Sequence, residues 1–156
     1  MNSVNTLIDS IRKAYKKDSN PNIKLYSAAL SIVFRKYTDG KNVEYASKDA
    51  MDEFSKLAKA GIISSDVSLK TLQWKDQPSF DEGRKIFHYE HCTPIKSLVD
   101  EALYTDNDVD NILAKSVVCW ILKTENEKLD KKGYRTKRDG GWKKCYNDCG
   151  IIPIRL

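Results

Sequence analysis

Val117-Val118-Cys119-Trp120-Ile121-Leu122 is the longest apolar run in the chain, and it constrains the fold more than any other segment. Six residues cannot cross a bilayer, which takes about 20 in a helix. β-Branched and aromatic side chains at this length fit a buried strand. A helix interior is the competing assignment, because short apolar runs show no decisive period. Elsewhere the apolar residues come in stripes. Val4, Leu7, Ile8, Ile11, Ala14 and Tyr15 follow the spacing of one buried helical face, and a break around Pro21 ends it. Leu25, Ala28, Ala29, Ile32 and Val33 continue as a second stripe, towards a turn at Asp39-Gly40.

Ser47 is placed to cap a third helix that buries Met51, Phe54, Leu57 and Ala58 and stops at Gly61. From Ile62 to Ser79 the pattern weakens. Ile62–Ile63 and Leu69–Trp74 lean towards β, and either a loop or a pair of edge strands fits them. Residues 85–91 alternate as a strand that the Pro94 turn ends. Two short helices follow, around Ile95–Leu103 and Val109–Leu113. Thr124-x-x-Glu127 has the form of a capping box, predicting a helix from Glu125 to Lys132. Trp142–Cys149 reads as a last helix, closed by Gly150 and followed by an apolar tail.

These elements predict one α+β domain over residues 1–156, mainly helical. It divides into a helical part (1–61), a small strand-strand-helix unit (84–132) and a basic, aromatic C-terminal segment (133–156). The N-terminus carries charges through its apolar positions, so it does not read as a signal peptide, and a cytoplasmic, membrane-free protein is expected.

The net charge of +5 is unevenly distributed. Residues 1–38 hold seven Lys/Arg against two acids, residues 39–122 ten against fifteen, and residues 123–156 ten against five. Two basic ends around an acidic middle suggest a surface that faces a polyanion, and nucleic acid is the first partner to consider. A lysine-rich solvated surface is the alternative. Within the last segment, Lys131, Lys132, Arg135, Lys137, Arg138, Lys143 and Lys144 are interleaved with Tyr134, Trp142 and three glycines. That mixture suits phosphate contact with some base stacking. The four cysteines, Cys92, Cys119, Cys145 and Cys149, include only one close pair, which favours buried reduced thiols over a structural zinc held by all four.

Both histidines fall in His88-Tyr89-Glu90-His91-Cys92-Thr93-Pro94. An imidazole can take a proton from water near neutral pH, and a carboxylate with an amide carbonyl suits a hard divalent cation. Adjacent residues on a strand point to opposite faces, so Glu90 and His91 act together only if the strand bends there. The Pro94 turn is the expected bend.

Glu90-His91-x-x-Pro94, followed downstream by a strand and then a helix opening Glu125-Asn126-Glu127-Lys128, resembles the HNH (ββα-metal, His-Me finger) nucleases over residues 88–132. The resemblance implies His91 as general base, with Glu90 and Asn126 as ligands of a Mg²⁺ or Mn²⁺ ion. It assigns supporting places to His88, Asn111 and Glu127. The segment between the two half-motifs is longer than is typical of the family, and the family's last-helix histidine and paired CxxC knuckles are absent. The expected function is a metal-dependent endonuclease, acting on DNA in preference to RNA, with N-terminal helices free to add DNA contacts or a homodimer surface. The alternatives are a non-catalytic nucleic-acid-binding or regulatory protein, and a small inhibitor of another protein. In those readings His91 is a partly buried histidine satisfied by a backbone carbonyl, His88 is a strand surface residue and Glu90 pairs with one of the many lysines.

Overall fold

Asn22, Ser47 and Asp108 each accept a backbone N–H from the first turn that follows, and so mark three helix starts. A computed structural model describes residues 3–156. Its helices are α1 (Ser3–Lys17), α2 (Ile23–Asp39), α3 (Lys48–Lys59), α4 (Ile95–Tyr104), α5 (Val109–Ala114), α6 (Lys123–Lys131) and α7 (Trp142–Asp148). Its strands are β1 (Tyr45–Ser47), β2 (Phe87–His91), β3 (Val118–Leu122) and β4 (Pro153–Arg155). The fold is α+β and mainly helical, with one small sheet.

The sheet runs β2-β3-β1-β4. The apolar run forms β3, which pairs antiparallel with β2 and parallel with β1, and is therefore buried on both faces. β1 and β4 pair antiparallel. They have three residues each, too few to show an alternating pattern, so the apolar tail contains a strand that its sequence does not announce. The β-leaning pieces between Ile62 and Trp74 form turns. Their apolar residues Ile63 and Leu69 are anchored in the core without making a ladder.

Three apolar clusters follow from this arrangement. Stripes of α1, α2, α4 and α5 pack around Ile8, Leu30, Phe34, Leu98 and Ile112 in a helical layer. One sheet face carries Phe87, Tyr89, Val118, Trp120 and Ala46 against α3 and the 62–80 segment. There Phe54, Phe80, Phe87 and Trp120 meet edge to face at 5.4–6.4 Å between ring centres, and Tyr89 meets Trp120 at 4.9 Å. The opposite face carries Cys119 and Ile121 against Leu129 of α6 and Cys145 and Tyr146 of α7.

α6 begins two residues before the predicted start. Glu125, not Glu127, does the local capping: its carboxylate accepts the Leu122 N–H at 2.8 Å and the Ser47 hydroxyl at 2.6 Å. Ser47 Oγ also accepts the Ala50 N–H at 3.0 Å, so a single contact fastens the β1–α3 junction to the β3–α6 junction. Burial raises the Glu125 carboxyl above its ordinary value, partly countered by these donors. No helix among the described residues is long and apolar enough to cross a membrane.

Candidate functional site

β2 lies at the end of the sheet, so one of its edges has no strand partner among the described residues. Its ladder with β3 continues through His91, which pairs with Val118, and the expected bend does not occur before that residue. Glu90 and His91 therefore point to opposite faces. His91 shares the aromatic face with Tyr89, their rings 6.3 Å apart. His88 and Glu90, two residues apart, share the other face. The His88 Nε2 lies 2.9 Å from Glu90 Oε2.

The second Glu90 oxygen is taken by Arg138. Arg138 comes from the segment between α6 and α7, and its side chain is only 3% exposed. Its guanidinium also donates to the Cys92 carbonyl, to the His91 carbonyl at 3.2 Å and to the Tyr134 carbonyl at 3.2 Å. Burial raises the Glu90 carboxyl, but His88 and Arg138 outweigh it and hold the group below the usual carboxylate value. Arg138, read from sequence as a phosphate contact, is thus turned inward as an internal partner of Glu90.

His91 is in a different condition. Burial pushes its imidazole down to about 4, with Glu90 and Asp39 pulling up and Arg35 and His88 pushing further down. Its buried Nδ1 has no hydrogen-bond partner among the described residues. A histidine held neutral this firmly is a weak proton acceptor.

The open edge of β2 is the floor of a cleft of about 630 Å³. His88, Glu90 and His91 line it, with Arg35 and Asp39 of α2, Lys96 of α4, Trp74 and Arg135 around them. Among the described residues Arg35 and Arg135 make no ion pair, whereas Lys96 pairs with Asp100 at 2.5 Å. The cleft is a carboxylate–imidazole pair under a cationic rim.

The other predicted site residues are dispersed. Asn126 is half-buried on α6 and does not line the cleft. Asn111 and Glu127 are exposed on α5 and α6. Much of the C-terminal charge is used internally. Lys144 pairs with Asp148 at 2.7 Å, Lys137 pairs with Asp139 at 3.2 Å, and Lys132 bonds the Asp148 carbonyl. Lys143 lies over the ring of Trp142, which itself packs edge to face on Tyr45 and Tyr146. Lys131 is exposed, and Arg135 alone of the seven predicted cations lines the cleft with its charge unpaired.

A hard divalent cation needs several free oxygen donors. Glu90 has both oxygens engaged and Asn126 lies elsewhere, so the donor set implied by the nuclease resemblance is not assembled here. Among the described residues no three His, Cys, Asp or Glu side chains are grouped to hold a metal ion. The four cysteines are all buried free thiols on the α6–α7 face of the sheet. Burial raises Cys119, Cys145 and Cys149 above the ordinary thiol value, which keeps them protonated and inert. No protein-family model, curated protein or solved structure matches the chain.

Proposed function

We propose that the chain is an endonuclease whose acid–base group is the His88–Glu90 pair. The observation that carries this reading is the placement of that pair in a cleft rimmed by Arg35, Lys96 and Arg135. Glu90, fixed by Arg138, accepts the Nε2 proton of His88 and so sets the tautomer that leaves Nδ1 as the base. A phosphodiester seated among the rim cations has its developing charge offset by them while His88 takes a proton from the attacking water. The new O–P bond forms as the P–O bond to the leaving strand breaks, and the leaving oxygen is protonated by solvent. Arg138 is a positioning residue, acting through Glu90.

The test is cleavage of supercoiled plasmid and of single-stranded RNA by purified protein, with Mg²⁺, Mn²⁺ or EDTA. His88→Gln should lower cleavage roughly 10²- to 10⁴-fold while leaving the thermal midpoint close to that of the parent. His91→Gln should have a much smaller effect on rate. A folded protein that cuts neither substrate yet binds both, with steep salt dependence, would favour the non-catalytic binding reading. Cutting that follows His91 and not His88 would overturn the assignment of the base.

A further inference from the structure

Trp74 is the most exposed of the three tryptophans, 52% exposed, and it lines the cleft that holds His88. An indole left in water inside a charged cleft forgoes burial of a large apolar surface. Its surroundings are not loose. Trp74 opens a short 3₁₀ segment (Trp74–Ser79) bound to β2 through buried side chains. Gln77 donates to the Phe87 carbonyl at 2.7 Å and to Asp81 at 2.9 Å. Asp81 accepts the backbone N–H groups of Lys85, Ile86 and Phe87 at 2.8–3.1 Å. On the other side, the Tyr89 hydroxyl donates to Gln73 Oε1 at 3.0 Å and the Trp120 indole N–H to the Leu72 carbonyl at 3.3 Å.

Behind the ring, the Arg84 guanidinium lies 3.7 Å from the indole centre. Arg84 is the one non-glycine among the described residues with positive φ, at 52°. It does not line the cleft, so it covers the indole from outside it. Strain of this kind costs about 1–3 kcal/mol and persists only where surrounding contacts impose it. A rigid loop, a strained arginine and an exposed ring together make a flat, preorganised π surface beside a cationic rim.

We propose that Trp74, backed by Arg84, is a stacking platform for an unpaired nucleobase, so that the cleft takes a single-stranded segment of nucleic acid. This rests on the nuclease reading above and specifies its substrate class. Stacked bases inside a duplex present no free face, whereas a single strand can lay one base on Trp74 with its phosphate towards Arg35 and Arg135.

The test is fluorescence titration of the intact protein with oligothymidylate, oligouridylate and a DNA duplex of the same length, with salt varied. Both single strands should quench tryptophan emission. Trp74→Phe should abolish the quench although Trp120 and Trp142 remain, while keeping most of the affinity. Trp74→Ala, checked for folding by circular dichroism, should bind single strands roughly tenfold or more weakly. Single-strand binding with no Trp74-dependent quench, or binding unchanged in Trp74→Ala, would overturn the platform and leave the nuclease reading standing. Preference for the duplex would do the same. Absence of both binding and cleavage on every substrate would sink the two readings together. A difference between the two single strands would separate DNA from RNA.

Discussion

The two faces of the small sheet are built on different principles. One is a stack of aromatic rings, Phe54, Phe80, Phe87, Tyr89 and Trp120. The other holds cysteines, Tyr146 and a buried ion pair, Glu90–Arg138, that extends to His88 at the cleft. Aromatic packing stabilises by area and tolerates exchange between similar shapes. A buried ion pair contributes little net stability, because desolvation offsets its attraction, yet it becomes costly once one partner is lost. A fold of this size has no need of such a pair for stability. Its presence on the face that ends at His88 is best explained by what it holds in position.

The sharpest way to break that contrast is Arg138→Met. It removes the guanidinium from Glu90 and from three carbonyls, leaving a buried carboxylate without its arginine. The expected cost is about 3–5 kcal/mol in urea denaturation. Adding Glu90→Gln to Arg138→Met should recover a large part of this, since the orphaned charge is then gone. Phe80→Leu on the aromatic face should cost about 1–2 kcal/mol. If Arg138→Met costs no more than Phe80→Leu, the two faces are energetically alike and the contrast fails.

A smaller effect separates the two histidines. Burial lowers the His91 imidazole to about 4, so the unfolded chain takes up its proton first as pH falls. The stability that this represents is present in full above about pH 6.5 and is lost as pH falls from there towards 4. At most it amounts to about 3 kcal/mol. Glu90 adds acid sensitivity of the same sign, but only below the ordinary glutamate value. Glu125, whose carboxyl is raised, contributes with the opposite sign, so the difference between parent and His91→Phe over pH 6.5 to 5 isolates His91. In His91→Phe the fall in midpoint over that interval should flatten, and in His88→Gln it should persist. An unchanged slope in His91→Phe would mean that His91 is solvated like a surface histidine.

These histidines also show what could be read from the sequence. The strand over 85–91 was visible as an alternation, and a period of two already pairs His88 with Glu90. The adjacent Glu90-His91 motif needs a bend that the β2–β3 ladder does not make before His91, and nothing local to the motif signals that. Long stripes such as those of α1 and α2 were legible because a buried helical face repeats over several turns. β1 and β4 were not, since three residues cannot display a period. The cleft itself joins Arg35, Trp74, Lys96 and Arg135 from separate parts of the chain. No local pattern encodes that meeting, nor the inward turn of Arg138 out of a run of cations that reads as a set of phosphate contacts.

The smallest of the expected effects concerns how the two faces are joined at one end of the sheet. Ser47 caps α3 and at the same time donates to Glu125 at the start of α6, while Glu125 holds the Leu122 N–H. Ser47→Ala removes a cap and a donor to a buried carboxylate, and should cost about 1–2 kcal/mol at neutral pH. The Ser47 hydroxyl favours the ionised form of Glu125, so its removal moves that carboxyl further up. The deficit should therefore shrink as pH falls and Glu125 becomes protonated, an opposite trend from that of His91. Ser47→Thr keeps the hydroxyl and should recover most of the loss. A deficit that is the same at every pH would mean that Ser47 acts on α3 alone, with the two junctions independent.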